Sequence, residues 1–302
     1  FPGLANATTL TFQSMEESHD LQELDVLFLA QENGKAMSMA RHLAERGARI
    51  VDLSADFRFR DAAEYNAWYT PAHVDPEAAS TAVYGLPELF RKQISAAAIV
   101  GNPGCYATAS ILALAPLLSA DLVGLQSVVI DAKSGVSGAG RSRYSQEYHF
   151  PEANESVAAY KVGGTHRHIP EIEQALREVC GEPLRISFTP HLIPMTRGIL
   201  ATCYARLKRE STTSELLERY RDFYRNERFV DILSEGTPST KQTLGGNTCR
   251  IGLAMDSRTG RVTVISALDN LVKGMAGQAI QNMNLMLGLP ETAGLTAPAL
   301  WP

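Results

Sequence analysis

The sequence predicts an α/β fold in two parts: a parallel sheet at the front of the chain and an α+β part with a mostly antiparallel sheet behind it. An apolar run at 25–30 is followed by a helical stretch at 36–46, a glycine, and a second apolar run at 48–53. Strand, helix and strand at this spacing are typical of a βαβ unit with a right-handed crossover. After Ser127 the apolar runs become longer and lie farther apart, which is typical of antiparallel strands.

Further elements follow from the same periodicities. A strand is predicted at 94–100, and the apolar residues after Cys105 recur at helical intervals. In the second part the predicted strands lie at 128–130, 184–188, 198–207 and 262–265. The stretch at 270–287 is predicted to be helical, and we expect its methionine-bearing stripe to pack in the core or against another subunit.

Composition narrows the function classes. Of the 302 residues, 45% are hydrophobic and 20% are charged, which is ordinary for a globular chain long enough for two domains. The formal net charge of -5 gives no broad basic field, so we expect no nucleic acid as a main partner. No apolar run approaches the roughly 18 residues of a membrane helix, and the first residues lack the pattern of a secretory signal. We therefore expect no membrane partner and a cytoplasmic location.

The cysteines indicate neither a metal site nor a disulfide framework. Their positions are Cys105, Cys180, Cys203 and Cys249. They are scattered without the spacing of metal ligands. A chain of this size does not need disulfides to stabilise its core, so we predict no disulfides and no metal.

Cys105 is the strongest candidate for a nucleophile. It follows Gly101-Asn102-Pro103-Gly104, a tight turn between a predicted parallel strand and a helix. Open α/β sheets place their sites at the carboxyl ends of their strands, and the first turn of a helix favours an anion. We therefore expect a lowered pKa for this thiol. The alternative is an ordinary cysteine buried in the core.

A second cluster holds His166, Arg167 and His168, followed by Pro170 and Glu171, which are typical of a helix start. A loop of this composition can hold together a general base and a cationic side chain that binds an anion. The histidine pair can also bind a metal, but no cysteine or acidic residue lies at a recognisable spacing.

Two further segments carry arginines. The stretch at 133–141 follows a predicted strand, and its glycines let backbone amides approach a ligand, with Arg141 available for a phosphate or carboxylate. The alternative for this stretch is a flexible surface loop. Arg197 lies on a turn just before another strand, where it can make a second anion contact. One thiol, one histidine and two arginines suit an anionic acyl substrate.

Seven strings of the sequence are longer than chance motifs. They are DLSADFRF at 52–59, YGLPEL at 84–89, GNPGCY at 101–106, SGVSGAGR at 134–141, HRHIPEIEQ at 166–174, FTPHLIPMTRGI at 188–199 and DNLVKG at 269–274. In this order, along nearly the whole chain, they resemble the N-acetyl-gamma-glutamyl-phosphate reductase family.

The resemblance implies an NADP(H)-dependent reductase whose substrate is a small acyl phosphate, N-acetyl-glutamyl phosphate, in arginine biosynthesis. Cys105 would form a thioester with the acyl group, and His166 would act as acid and base. The residues implied near the nicotinamide are Ser134, Gly135 and Asn270. Those implied at the anionic groups of the substrate are Arg141, Tyr160, His168 and Arg197.

The resemblance also implies a domain plan like that of glyceraldehyde-3-phosphate and aspartate-semialdehyde dehydrogenases. A Rossmann-like NADP-binding domain is expected at 1–110, completed by a C-terminal helix at 275–302. A catalytic and oligomerisation domain is expected at 111–274, and the assembly would be a homodimer or homotetramer.

The sequence departs from the family pattern in two places. Family members begin with a Gly-rich βαβ unit that cradles the cofactor pyrophosphate, and we expect that unit upstream of Phe1. The second departure is Gln31-Glu32-Asn33-Gly34, where the family usually has a proline-histidine pair before the glycine.

Three alternatives remain open from the residues. The chain can be a reductase of N-acetyl-aminoadipyl phosphate or aspartyl phosphate, because one methylene is worth only about 1–3 kcal/mol in a pocket. It can be a hydrolase that uses the same thiol and imidazole. It can also be a non-catalytic assembly subunit that lacks the cofactor site.

Overall fold

A parallel sheet forms the front of the chain in the computed structural model, which describes residues 2–4, 6–12, 24–140 and 145–301. Its strands are β1 (Val26–Leu29), β2 (Arg49–Asp52), β3 (Val83–Tyr84) and β4 (Ile99–Gly101). Within these residues the strand order is β1-β2-β4-β3, and every pairing is parallel. The predicted parallel front is confirmed.

Short helices accompany this sheet. They are a 3-10 turn at Ala36–Ser38, α1 (Ala40–Glu45), α2 (Ala62–Trp68), α3 (Pro76–Thr81) and α4 (Pro87–Ala96). The helical stretch predicted at 36–46 is confirmed, although its first turn is 3-10. Two aspartates begin the helices that the sequence did not predict: Asp61 caps α2 and Asp75 caps α3, each accepting a hydrogen bond from a backbone N–H of the first turn.

The strand predicted at 94–100 is wrong over its first residues. Residues 94–96 are the end of α4, and β4 begins only at Ile99. Phe90 and Ile94 lie four positions apart and are both buried, so they form the apolar side of a helix that packs on the core. Hydrophobicity alone cannot distinguish the last apolar residue of such a helix from the start of a strand.

A mixed sheet of seven strands forms the second part of the described chain. Its strands are β5 (Val129–Ser134), β6 (Ala158–Ala159), β7 (Ser187–Leu192), β8 (Ile199–Arg206), β9 (Val230–Ile232), β10 (Cys249–Asp256) and β11 (Arg261–Leu268). The order is β6-β7-β5-β8-β11-β10-β9. The pairs β5–β7 and β9–β10 are parallel, and the other four pairs are antiparallel. The prediction of a mostly antiparallel second sheet is confirmed.

Some of the individual strand predictions for this sheet are confirmed and others are not. Those at 128–130, 198–207 and 262–265 correspond to β5, β8 and β11. The prediction at 184–188 overlaps only the first two residues of β7, and β10 was not predicted. Glycine and alanine occupy alternate positions of β10, and both are uncommon in strands.

The second part carries both longer and shorter helices. They are α5 (Cys105–Ser119), α6 (Phe150–Ala153), α7 (His168–Cys180), α8 (Thr213–Phe223), a π-helix at Val272–Ala276 and α9 (Gly277–Met286). The helix predicted after Cys105 and the helical stretch predicted at 270–287 are confirmed, with Met286 buried and Met275 and Met283 half-buried. In the described part of the chain, no helix is long and apolar enough to cross a membrane.

Helix α5 is the buried axis of the molecule. Thirteen of its fifteen residues are buried, and it packs on α7, β8 and β11. A helix that is apolar on all sides is expected in a core rather than at a surface. Helix α9 packs instead on α4 and β2, which belong to the front sheet. Because α5 continues without a break across residue 110, the domain boundary there stays a prediction.

Gly101 ends β4 at a point where the chain has no room for a side chain. A Cβ atom there would lie 2.1 Å from the Phe57 carbonyl oxygen. Because backbone cannot move aside as a flexible side chain can, we expect Gly101→Ala to lower the free energy of unfolding by about 3 kcal/mol in urea denaturation. The matched control is Gly124→Ala, where the nearest atom would be 3.6 Å away. An equal loss in both variants contradicts the steric explanation.

Candidate active site

Cys105 lies at the N-terminus of α5, directly after the turn that follows β4. Its side chain is partly exposed and lines a cavity of about 480 Å³. The cavity wall includes Ala55 and Tyr69 from the front part and Ser134 from the second part. A thiol at a helix N-terminus that opens to a cavity has the placement that a nucleophile needs.

The Glu171 carboxylate holds the turn before Cys105. Glu171 is completely buried in the first turn of α7. Its carboxylate accepts hydrogen bonds from the Gly104 backbone N–H at 2.7 Å, from the Tyr84 hydroxyl at 2.8 Å and from Arg58 Nη1 at 3.2 Å. The residue before the thiol is therefore fixed by a buried charge.

Arg58 completes this arrangement. Its Nε donates to the Asn102 carbonyl oxygen at 2.7 Å, and its Nη2 donates to the Leu53 carbonyl oxygen at 3.2 Å. Burial is the largest single influence and lowers the pKa of Arg58, but Glu171, Tyr69, Tyr84 and Asp52 together outweigh it and the pKa is raised. Arg58 lines the cavity with its nitrogens already occupied by protein partners, which makes it a structural cation.

Two glycines allow neighbouring residues to pack closely around Cys105. A Cβ atom at Gly104 would lie 2.4 Å from His168 Nε2, and a Cβ atom at Gly274 would lie 2.8 Å from Cys105 Cβ. Gly274 belongs to the π-helix, so this irregular turn packs directly against the cysteine. π-Helical turns are frequent at functional sites.

The predicted lowering of the Cys105 pKa is wrong for the free chain. Burial raises the pKa of the thiol to about 11, although the Tyr106 backbone N–H and Arg58 act in the opposite direction. The helix N-terminus does favour the thiolate, as the sequence suggests, but removal from water outweighs it. At neutral pH Cys105 is therefore a thiol.

Both cavity histidines are neutral at pH 7. Burial, followed by the charge of Arg58, lowers the pKa of His168 to about 3. Burial is also the main reason that the pKa of His166 falls to about 2. His166 Nδ1 accepts a hydrogen bond from the His168 backbone N–H at 3.1 Å. This contact assigns the proton of neutral His166 to Nε2, which makes that nitrogen a hydrogen-bond donor.

Tyr160 lines the cavity and is hydrogen-bonded to a neighbouring phenol. Its hydroxyl donates to the Tyr106 hydroxyl at 3.2 Å, which donates to the His191 carbonyl oxygen at 3.2 Å. Burial raises the pKa of Tyr160 to about 12, so its proton stays in place at neutral pH. The ring of Tyr106 meets those of His166 and His168 edge-on, at centroid distances of 5.7 and 5.9 Å.

Ser134 and Gly135 lie on the cavity wall at the end of β5. Asn270 is buried behind this loop and does not line the cavity. Its Oδ1 accepts from the Gly198 N–H at 2.6 Å, and its Nδ2 donates to Ser137 Oγ at 3.0 Å. Asn270 therefore ties the loop at 135–138 to the turn at 196–198, and its cofactor role stays a prediction.

Of the two predicted arginines, Arg197 does not line the cavity as the structure describes it. The guanidinium of Arg197 pairs with the buried Asp269 carboxylate at 2.9 Å, away from the cavity wall. Arg141 lies outside the described residues. The described structure thus gathers six of the predicted site residues around one cavity: Cys105, Ser134, Gly135, Tyr160, His166 and His168.

Several cavity residues were not predicted from the sequence. Arg58 and Tyr69 come from the front part, and Lys161 precedes the loop of the two histidines. Arg167, which the sequence indicated as a cation able to bind an anion, also lines the cavity. Arg58 lies in DLSADFRF, where an arginine between two phenylalanines was a usable sign of a buried, paired charge. Its partner Glu171 lies 113 positions away, and no local pattern connects them.

Family models match both parts of the chain. The model described as semialdehyde dehydrogenase, NAD binding domain, matches residues 1–97. The model described as semialdehyde dehydrogenase, dimerisation domain, matches residues 105–270. The fold and the site together define an enzyme of the semialdehyde dehydrogenase class that has a pyridine-nucleotide-binding domain.

Curated relatives narrow this class. An N-acetyl-gamma-glutamyl-phosphate reductase of Symbiobacterium thermophilum is 55% identical over 90% of this chain and 78% of its own length. One of Geobacter metallireducens is 52% identical over 100% of this chain and 87% of its own. The chain belongs to the N-acetyl-gamma-glutamyl-phosphate reductase family.

Solved structures support the fold at lower identity. Aspartate semialdehyde dehydrogenase II from Vibrio cholerae superposes with a TM-score of 0.69 at 16% identity, covering 91% of this chain and 83% of that chain. Aspartate semialdehyde dehydrogenase from Francisella tularensis has a TM-score of 0.62 at 14% identity, covering 88% of this chain and 83% of that one. The predicted fold class is confirmed by these likenesses.

We expect Glu171→Gln to lower the free energy of unfolding by about 3 kcal/mol, because it leaves Arg58 buried without its counter-charge. Denaturant unfolding measures this loss. The matched control is Glu178→Gln on the same helix, whose partner Arg60 is half-exposed, and its cost should stay below about 1 kcal/mol. Equal losses of unfolding free energy in the two variants would show that burial of the Glu171–Arg58 pair does not make its loss more costly.

The raised pKa of Cys105 predicts slow alkylation at neutral pH. Because the thiolate fraction grows with pH while the pH is below the pKa, the rate with iodoacetamide should rise about tenfold per unit from pH 6 to 9. Labelling of Cys105→Ser corrects for Cys180, which is also partly exposed. A rate that levels off near pH 7 would indicate a thiolate-imidazolium pair instead.

Proposed function

We propose that this chain catalyses the NADPH-dependent reductive dephosphorylation of N-acetyl-L-glutamyl 5-phosphate to N-acetyl-L-glutamate 5-semialdehyde, a step of arginine biosynthesis. The observation that carries the proposal is Cys105 at the N-terminus of α5, open to a cavity that also holds His166. The names of the curated relatives support the substrate, and the matched NAD binding domain supports the class of cofactor.

Cys105 provides the covalent step of this reaction. Its sulfur attacks the acyl carbon, the bond from that carbon to the phosphate oxygen breaks, and a thioester forms. Since Cys105 begins as a neutral thiol, its proton leaves with the phosphate, which is released as hydrogen phosphate. After reduction, the thiohemiacetal alkoxide on Cys105 collapses to the aldehyde, and the sulfur takes up a proton from solvent.

In these reaction steps His166 acts as a hydrogen-bond donor. Its Nδ1 is already an acceptor for the His168 N–H, and burial keeps the ring neutral. Nε2–H is then available to the oxygen of the acyl group, which gains negative charge at the tetrahedral stages. A donor held in a water-poor cavity stabilises such an oxyanion more strongly than water does.

The residues at the carboxyl edge of the parallel sheet fit a nicotinamide. Asn33 follows β1, Ala55 follows β2 and Cys105 follows β4, and these residues line one cavity. That edge is where open parallel sheets bind nucleotides. A bound nicotinamide would supply the hydride that reduces the acyl carbon. The choice of NADP(H) over NAD(H) is supported by the family alone.

The loop after β5 forms the facing wall. At Gly135 a Cβ atom would lie 2.8 Å from backbone atoms of Met195 and Arg197, so the wall there is bare backbone. We expect Ser134 and Gly135 to contact the nicotinamide end of the cofactor. Asn270 would act through Ser137 by holding this loop in place.

A homodimer is supported by an open face of the seven-stranded sheet. Val129 lies opposite Tyr204 and Tyr204 opposite Thr263, and these cross-strand neighbours are all partly exposed. Ile130 and Ala132, on the other face of β5, are buried. A second copy can cover this face, and the matched dimerisation domain is consistent with that. A homotetramer would need a further interface.

We also propose a cytoplasmic location, which suits a biosynthetic enzyme.

Turnover should depend on Cys105. We expect Cys105→Ser to lose at least about 1,000-fold in NADPH oxidation with N-acetyl-glutamyl phosphate, because a neutral hydroxyl is a much weaker nucleophile than sulfur. Cys180→Ser, the other partly exposed cysteine, should keep wild-type turnover.

The same assay separates the competing functions. Phosphate release from the wild type without NADPH oxidation would favour a hydrolase, and failure to bind NADPH would favour a non-catalytic subunit. Faster turnover of N-acetyl-aminoadipyl phosphate or aspartyl phosphate would reassign the substrate.

A further inference from the structure

Arg167 is a cavity cation that the proposed reaction does not yet use. It lies between the two cavity histidines in the chain and lines the same cavity as Cys105. Its side chain is half-buried. Unlike Asn270 and Arg197, it stands where a ligand in the cavity can reach it.

A fixed aromatic platform holds the Arg167 guanidinium. Its Cζ lies 5.1 Å from the centre of the Tyr69 ring. Tyr69 is 5% exposed and stacks on Tyr65 at 4.9 Å with 14° between the rings. Tyr65 is held in turn by a 3.0 Å hydrogen bond to the Asp56 carboxylate, and the Tyr69 hydroxyl donates to the Arg167 carbonyl oxygen at 3.3 Å. A guanidinium over an aromatic face is attracted by the ring and can still donate hydrogen bonds to a ligand.

Arg167 also lacks the acidic partner that other arginines of this region have. Arg58 pairs with Glu171, and Arg197 pairs with Asp269. Among the residues that the structure describes, no carboxylate oxygen lies within 4.0 Å of an Arg167 nitrogen. A half-buried guanidinium that has no counter-charge among the described cavity residues within 4.0 Å is suited to an anionic ligand.

The surrounding charges favour an anion as well. Lys161 lines the cavity and has a φ of 46°, a left-handed conformation that is uncommon for a lysine. After burial, the charges of Lys161 and Arg167 contribute to the low pKa of His166. Glu147 is the acidic member of the described lining.

We propose that Arg167 binds an oxyanion of the acyl-phosphate substrate, with Tyr69 holding its guanidinium in place. The planar fork of an arginine can donate two parallel hydrogen bonds to either a carboxylate or a phosphate, and both groups occur in this class of substrate. Arg167 thereby takes the anion-binding role that the sequence assigned to Arg197, whose charge is already neutralised by Asp269. The assignment rests on the function proposed above.

Steady-state kinetics of Arg167→Gln in both directions test this assignment. In the forward direction the KM for the acyl phosphate should rise by about 10- to 100-fold, with a smaller change in kcat, because a charge-assisted contact is lost before chemistry begins. The KM for NADPH should stay unchanged. Arg167→Lys should recover part of the loss, and Tyr69→Leu should raise the same KM without altering the charge.

The reverse reaction distinguishes the two oxyanions. A rise confined to the KM for inorganic phosphate would assign Arg167 to the phosphate, and a rise confined to the KM for the aldehyde would assign it to the carboxylate. Either result supports the proposal. Values within about twofold of wild type for all three ligands would overturn it.

Two controls keep the test interpretable. Arg219→Gln on the exposed side of α8 removes an arginine outside the cavity and should leave each KM unchanged. Circular dichroism and thermal melting confirm that each variant is folded. If the wild type itself fails to turn over N-acetyl-glutamyl phosphate, the proposed function fails. Activity of the wild type with no effect at Arg167 rejects only this assignment.

Discussion

The geometry around Cys105 depends on one buried carboxylate, that of Glu171. A carboxylate removed from water is costly unless hydrogen bonds and a counter-charge surround it. Glu171 obtains these from Arg58, Tyr84 and the Gly104 backbone, three points that are distant from α7 in the sequence. The same contacts that satisfy the charge therefore join α7 to the front sheet and fix the turn that delivers the thiol.

The burial that fixes this geometry also determines the chemistry available to it. With the pKa of Cys105 raised and those of His166 and His168 lowered, the cysteine and the two histidines of the free cavity are neutral and form no thiolate-imidazolium pair. In the proposed reaction the departing phosphate is the strongest base near the sulfur, so sulfur attack and proton loss are coupled through the substrate. A cysteine of this kind is protected from adventitious oxidation and alkylation, because those reactions need the thiolate.

Local sequence signals predicted much of this structure, whereas pairings between residues distant in the chain could not be predicted. The βαβ spacing and the Gly-Asn-Pro-Gly turn are local, and they correctly gave the parallel front and the placement of Cys105 at a helix start. Arg197 and Asp269 lie 72 positions apart in the chain, and the partners of Asn270 lie 72 and 133 positions away, so the sequence showed these side chains without showing what they bind. The expected lowering of the Cys105 pKa was wrong for a related reason, since the burial that raises it is a property of the whole fold.

A second buried ion pair holds another turn beside the cysteine. Lys273 is fully buried, and its Nζ donates to Glu88 Oε1 at 2.6 Å and to Gln281 Oε1 at 2.8 Å. This pair anchors the π-helix whose Gly274 packs against Cys105, and it ties that turn to α4 of the front part. Buried pairs of this kind add little net stability, but the loss of either partner is costly. The first pair holds the turn before Cys105 and the second holds the turn that packs against its Cβ atom, so both constrain the backbone that presents the thiol to the cavity.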